Sequence, residues 1–419
     1  TKTRSYSGTR LSNCVESLSL FQWLSTQGAC PEKLKIELSG TKDRSPLPAP
    51  LGGDRGLIAT KDCSPGEVLL SVPFSVAFME EEGDSDGSHW SSAMALRLLA
   101  AARAPVDAGL APWLLSLPAR VDTPPIQYTD AELLAAREPN TLRDARAMRQ
   151  LHEELFQEVR GELSAMGLGR EDYSWAVSVM HSRCFCMQPH GRHVTVPGID
   201  MANHSFEPTA RVRVTHSPDA CQGRAAVEDV CEPPEQSPSL FELVAGDDGI
   251  QAGQEVTISY GSWPNDFFYL LFGFVPAGNP FDSAVLFDGP RDLFLGVNSL
   301  AEKHGAPFIE QGPELDAAVE RFESDLGDGY DRLVVTLEGF DERLMQALSL
   351  AAESHPSSGL NAGELLAEQC KRMLRLLEAS PGPGSADEER PSNNLRTSLE
   401  YCAGKAEVLR NALKAIGAA

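Results

Sequence analysis

Three short segments hold residue types that could do chemistry together, and they lie far apart along the chain. The first is Gly53-Asp54-Arg55-Gly56-Leu57-Ile58-Ala59-Thr60, with Pro65-Gly66-Glu67-Val68 behind it. The second is Ser182-Arg183-Cys184-Phe185, followed by Val196-Pro197-Gly198-Ile199-Asp200-Met201-Ala202-Asn203-His204-Ser205. The third is Gly253-Gln254-Glu255-Val256-Thr257-Ile258-Ser259-Tyr260-Gly261, with Asn265 and Gly273-Phe274 downstream. Glycines at 53 and 56 either let backbone approach a ligand closely or simply admit a strand through an ordinary turn. Arg183 offers a planar fork that suits a carboxylate, whether a ligand's or a neighbouring side chain's. A single histidine such as His204 is more often held by hydrogen bonds than used as a ligand or base. A strand-end tyrosine such as Tyr260 ordinarily packs, so its meaning depends on its surroundings.

A further group, His181, Cys184, Cys186, His190 and His193, has metal-binding residue types. Its Cys-x-Cys spacing lacks the gap of about two to four residues favoured by structural zinc, and no metal site is assigned. A cysteine nucleophile paired with one of these histidines would lack an orienting third group.

The elements that must position these residues follow from periodicity and turn chemistry. A helix is expected over Asn13 to Gln27, then strands over Gly56 to Thr60 and Glu67 to Val72 around the Ser64-Pro65-Gly66 turn, then an acidic piece, Glu80 to Gly87. A helical block comes next: Ser91 to Arg103, a helix opened by the capping box Thr129-Asp130-Ala131-Glu132, Thr141 to Met166, and Ser174 to Met180 with a core-facing apolar stripe. Strands return at Val194 to Pro197, Arg211 to Thr215, Leu240 to Ala245 and Glu255 to Tyr260, with a Pro- and Ser-rich loop over His216 to Ser239. After Pro280 the pattern is helical: Arg291 to Gly305, Pro313 to Asp325, Asp341 to Ser354, Leu360 to Ala379 and Asn393 to Ile416, with a linker over Ser380 to Pro391. This order predicts an α+β fold, in which a β-rich core is interrupted by a helical insertion and followed by an all-α C-terminal domain. The expected boundaries are 1–50 for an N-terminal helical segment, 51–275 for the core with its insertion at about 88–181, and 276–419 for the C-terminal domain.

Composition narrows the classes. With 36 basic against 60 acidic residues, the net charge of -24 argues against a nucleic-acid surface, and no direct nucleic-acid binding is expected. No run approaches ~18 consecutive apolar residues, so no membrane association is expected. Nine cysteines without paired spacing read as reduced thiols. The opening Thr1 to Arg10 is rich in Ser, Thr and Arg and has no acid, which reads either as the remnant of a transit segment or as a disordered terminus. A transit segment would send the chain to an organelle, and without one the cytoplasm or nucleus is expected.

In their order, the three segments resemble the split SET domain of the Rubisco large-subunit methyltransferase family. The Asp-x-x-Asn-His-Ser piece at 200–205 and the Gly-Gln-Glu-x-x-Ile-x-Tyr-Gly piece at 253–261, separated by a variable loop, carry the likeness. The helical block resembles the family's inserted region. Asn393 to Leu413, with Leu395-Arg396 and Gly404-Lys405-Ala406-Glu407, resembles its C-terminal substrate-binding domain. The resemblance implies S-adenosyl-L-methionine as cofactor and methylation of a protein side chain, lysine by default, although some relatives modify histidine. It implies cofactor contacts from Gly53, Asp54, Arg55, Arg183, Asn203 and His204, with His204 positioning and not transferring a proton. It makes Tyr260 the catalytic tyrosine, and Ser182, Arg183, Asp200, Tyr260 and Phe272 the substrate lining. It also implies a protein substrate or partner bound through the C-terminal helical domain, and it makes the chloroplast the expected compartment. A target lysine must lose its proton, which desolvation in a narrow channel favours.

Departures from the family pattern are specific. Asp54 stands where a glycine is usual, Gly53 where an acidic residue often meets the cofactor, Met187 where a basic residue is usual, and Phe272 where the lysine-specific enzyme has tyrosine. They leave a second expectation: a catalytically weak or inactive SET-fold scaffold subunit of an organellar assembly of the plastid-transcription type.

Overall fold

The structure, a computed structural model, describes residues 20–29, 33–38, 55–80, 89–104, 109–121, 123–187, 191–216, 239–303, 312–326, 332–340, 342–353, 361–379 and 392–418. In chain order these form α1 (Leu20–Thr26), β1 (Leu34–Leu38), β2 (Arg55–Ala59), β3 (Val68–Pro73), β4 (Phe78–Met79), α2 (Trp90–Arg103), α3 (Ala111–Ser116), α4 (Asp130–Leu134), α5 (Pro139–Ala165) and α6 (Arg170–Arg183). Then come β5 (Phe185–Met187), β6 (Arg192–Thr195), β7 (Asn203–His204), β8 (Ala210–His216), β9 (Ser239–Ala245), β10 (Glu255–Ile258) and α7 (Asn265–Phe267), which runs into a π-helical turn, Phe268–Phe272. The chain closes with β11 (Ser283–Phe287), α8 (Pro290–Lys303), α9 (Pro313–Leu326), β12 (Leu333–Thr336), α10 (Glu342–Glu353), α11 (Ala362–Glu378) and α12 (Asn393–Ala415). The fold is α+β, with several small sheets and a helical C-terminal region. Of the loop expected over His216 to Ser239, the two end residues belong to β8 and β9 and residues 217–238 lie outside the described residues, as does the linker expected over Ser380 to Pro391. Among the described residues no helix is long and apolar enough to cross a membrane.

Two compact units divide the chain: Thr1–Val121 with Leu151–Ser262, and Asp122–Gln150 with Trp263–Ala419. Among the described residues the first holds three small sheets of strand order β1-β2-β10-β7, β3-β9-β8 and β4-β6-β5. Strand β10 alternates half-buried Glu255 and Thr257 with buried Val256 and Ile258, the period-2 pattern of a strand with one face in the core. Helices α2 and α6 pack on each other in this unit, and the Tyr173 hydroxyl of α6 donates to Ser92 Oγ of α2 at 2.9 Å. The capping box expected at Thr129 is formed: Glu132 N donates to Thr129 Oγ1 and Thr129 N to Glu132 Oε2.

The second unit is built mainly from helices around an apolar core that includes Phe294, Leu344, Leu348, Leu366, Leu409 and Leu413. The region after Pro280 also contains the antiparallel ribbon β11–β12, with Ser283 opposite Thr336 and Val285 opposite Val334. Its strands are short apolar runs that period alone does not distinguish from buried helix.

In the first unit His152 is buried between α5 and α6, with Nε2 2.8 Å from Ser174 Oγ and its ring stacked on Tyr173. Burial, helped by the Arg170 charge and opposed by Glu153, pushes its pKa down to about 4. The unfolded chain therefore binds a proton that the folded chain refuses between about pH 6.5 and about pH 4. Stability must fall with pH through that window, by up to about 3 kcal/mol for this group. Thermal melts at pH 7 and pH 5 will show this loss in the wild type and a smaller loss in His152→Gln. Equal losses would remove His152 from the account.

Candidate active site

Strands β2, β10 and β7 lie side by side, and this adjacency assembles the site. Strand β10 runs antiparallel to β2, with Glu255 opposite Ile58 and Val256 opposite Leu57. It runs parallel to β7, with Thr257 beside Asn203 and Ile258 beside His204. The second and third sequence segments are thus neighbours. The Tyr260 hydroxyl donates to the Ala202 carbonyl at 2.8 Å, and Tyr260 N–H donates to His204 Nδ1 at 3.0 Å. Because Nδ1 accepts, the ring proton of neutral His204 resides on Nε2. Burial lowers the His204 pKa, opposed by a hydrogen bond involving the Ile258 backbone, and so favours this neutral form.

Asn203 Nδ2 donates to Glu255 Oε1 at 2.8 Å. Gly56 faces this pair: a Cβ there would stand 2.5 Å from Glu255 Oε1 and 2.8 Å from Asn203 Nδ2. The glycine is required by close approach. Gly56→Ala will displace the Glu255 carboxylate and cost about 1 to 3 kcal/mol, the usual penalty of overpacking. Chemical denaturation measures it, and a cost near zero would show that Glu255 swings aside freely.

The Val196–Asn203 segment turns at Gly198, whose φ of +90° is left-handed. Gly198 N–H donates to Asp200 Oδ1 at 2.9 Å. The Asp200 side chain is fully buried and is a hub. Its Oδ2 accepts from Arg183 Nη1 and from Trp113 Nε1, each at 3.1 Å, while Arg183 Nη1 also reaches the Asp200 carbonyl at 2.9 Å and Met201 Sδ at 3.3 Å. Arg55 at the start of β2 is half-buried, and burial and then the Arg183 charge lower its pKa against the opposing pull of Asp200. Two guanidiniums therefore share the field of one carboxylate. Arg183 Nε is buried with no hydrogen-bond partner among the described residues.

The structure thus brings Asn203, His204 and Tyr260 together, and Arg55, Arg183 and Asp200 together, all in the first unit. Ser182 lies in the last turn of α6 and donates its hydroxyl to the Val179 carbonyl at 3.1 Å. Phe272 belongs to the second unit, in the π-helical turn, among the rings of Phe267, Phe268 and Phe274. Gly53 and Asp54 lie outside the described residues. Sequence reasoning assigned no role to Glu255 or Trp113. The first had a signal, since strand alternation puts it on the side of β10 opposite Val256 and Ile258. The second had none, because nothing in a short helix marks a partner 87 residues away. Among the described residues no group of His, Cys, Asp and Glu is arranged to hold a metal.

Residues 54–261 match the family model of the SET domain, and the chain therefore carries a SET domain. The crystal structure of the SET domain of LSMT bound to lysine and AdoHcy has the same fold, with a TM-score of 0.65 at 17% identity over 95% of this chain and 90% of that one. Rubisco LSMT bound to sinefungin and monomethyllysine is similar at a TM-score of 0.63 and 18% identity, over 96% of this chain and 92% of that one. Rubisco LSMT bound to AdoMet gives 0.61 and 17%, over 95% and 90%. No curated protein sequence matches the chain.

Proposed function

We propose that this protein is a methyltransferase that uses S-adenosyl-L-methionine to methylate a protein side chain, the ε-amine of lysine. The observation that carries the reading is the convergence in one unit of the Asn203–His204–Tyr260 cluster with two arginines that share a single carboxylate. The cofactor's chemical features fit these residues. An α-carboxylate would balance the excess positive charge of Arg55 and Arg183, for which the buried Nε of Arg183 is a ready donor. The Asn203 amide, oriented by Glu255, offers a carbonyl acceptor to an ammonium. When bound, the cofactor supplies an electrophilic methyl on a sulfonium.

The chain's own part is to orient and to exclude water. Tyr260 gives its proton to the Ala202 carbonyl, so its phenol oxygen keeps lone pairs for weak C–H···O contacts. His204, neutral and anchored to the Tyr260 backbone, positions and moves no proton. A protein substrate engaging the helices of the second unit completes the proposal. The ligands of the similar structures, lysine and AdoHcy in one and monomethyllysine in another, support lysine as the acceptor. Phe272, where the lysine-specific pattern has a hydroxyl, favours the scaffold as the second reading.

Calorimetric titration with S-adenosylmethionine tests the proposal. The wild type will bind, and Asn203→Ala will bind more weakly by about 1 to 3 kcal/mol, the cost of leaving a polar site without one partner. Absence of wild-type binding at millimolar cofactor would overturn the enzyme reading in favour of the scaffold.

A further inference from the structure

Trp113 is fully buried on α3, within the expected helical insertion, yet its indole N–H is spent on a carboxylate that already has an arginine. Both donors meet the same oxygen: Asp200 Oδ2 receives Trp113 Nε1 and Arg183 Nη1, each at 3.1 Å. The other oxygen, Oδ1, is held by the Gly198 N–H. A carboxylate facing an arginine ordinarily closes a two-pronged pair through two parallel N–H···O bonds. Here it does not. Arg183 uses one nitrogen, Nη1, for every bond to Asp200 and Met201, and its Nε stays buried without a partner among the described residues.

We propose that Trp113 is a positioning residue that holds Asp200 out of a bidentate pair and so keeps the Arg183 Nε–H in reserve for the carboxylate end of the bound cofactor. The proposal rests on the function proposed above and deepens it. The indole and the Gly198 amide together fix the carboxylate by one bond to each oxygen. Removing the indole N–H frees Oδ2 to turn onto the second guanidinium nitrogen. Arg183 would then be satisfied internally, and a ligand carboxylate would lose its donor. Trp113 touches neither cofactor nor substrate in this scheme. It sets affinity for one end of the cofactor only, and links the insertion to the site through a single side chain.

The test uses two probes that share an adenosine thioether and differ in the amino-acid end: S-adenosyl-L-homocysteine, which has the carboxylate, and 5′-methylthioadenosine, which lacks it. Both are titrated calorimetrically into the full chain and into Trp113→Phe, and the ratio of the two affinities is read. The expected result is about tenfold weaker binding of S-adenosyl-L-homocysteine, the scale of one charge-assisted hydrogen bond, with 5′-methylthioadenosine changed by less than about twofold. Trp113→His retains a ring N–H and should hold the wild-type ratio to within about twofold. It carries the test alone if Trp113→Phe fails to fold, and a collapsed ratio in it overturns the proposal. Equal weakening of both probes in Trp113→Phe would make Trp113 merely structural, and no change in either would remove it from the site. Both results overturn the proposal while leaving the methyltransferase reading standing. Failure of the wild type to bind S-adenosyl-L-homocysteine at millimolar concentration overturns that reading and this inference together.

Discussion

Replacing Lys405 with methionine will destabilise the second unit by about 3 to 5 kcal/mol, the cost of removing one partner from a buried ion pair. Lys405 lies in α12 with its side chain almost fully buried, and its ammonium meets Asp266, Asp282 Oδ1 at 2.7 Å and the Ser283 carbonyl. Asp266 also accepts from the Tyr401 hydroxyl at 2.6 Å, and Asp282 is held by Asn265 through both backbone and side chain. Burial alone would lower the Lys405 pKa, but the two aspartates overcome it and raise it. Burial would raise the Asp266 pKa, but Lys405 overcomes it and lowers it. Methionine matches the volume and leaves two carboxylates facing each other without a cation. Protonation of one of them is the escape, so the loss should be largest at neutral pH and shrink in acid. Denaturant titration of Lys405→Met at pH 7 and pH 5 measures both effects. The triple variant Lys405→Met, Asp266→Asn, Asp282→Asn should recover part of the loss, since it removes the charges together. A single-variant cost below about 1 kcal/mol would show that the network is solvated and not buried in solution.

Tyr260→Phe will lower methyl transfer on the order of a hundredfold, while cofactor affinity moves by less than about threefold. The scale is that of deleting one oriented dipole aimed at a reacting centre, which falls on the rate and not on binding. The phenylalanine keeps the ring beside His204, 5.2 Å between centroids, and the backbone N–H that meets His204 Nδ1. Only the hydroxyl on the Ala202 carbonyl is lost. Mass spectrometry of a protein extract treated with each form and S-adenosylmethionine reads the rate, and calorimetry reads the affinity. Equal methylation of the same residues by both forms would show that another group orients the methyl.

Much of this architecture is legible in the sequence alone, and the reasons differ by element. The Thr129 cap was readable because its chemistry is local: a hydroxyl and a carboxylate three residues apart satisfy the first turn of a helix. Strand β10 was readable because Glu-Val-Thr-Ile alternates. Strand β1, Leu-Lys-Ile-Glu-Leu, alternates as well, but five residues shortly before a Pro- and Gly-rich stretch are too short a run to stand out. The β11–β12 ribbon was hidden because its apolar runs suit a buried helix equally well. In the site, Asn203, His204 and Tyr260 were found through motif order, but the coupling among Arg55, Arg183 and Asp200 depends on tertiary approach. So does the grouping of Asp122–Gln150 with Trp263–Ala419. Lys405 was noted only as part of a motif, and its meaning came from two aspartates more than a hundred residues upstream.

The placement of β10 between β2 and β7 has a consequence for synthesis and folding. Ile58 finds its partner Glu255 only after roughly 200 further residues have been made, so the central ladder of the site is among the most non-local pairings in the chain. During translation, β2 must wait with an unsatisfied edge while the inserted helices emerge and pair among themselves, as α2 and α6 do. The loop-closure entropy falls due late and all at once, and folding of the first unit should be limited by this closure. A nascent chain stalled before Gly253 would hold folded helices and no site, with the edge of β2 open to the wrong partner.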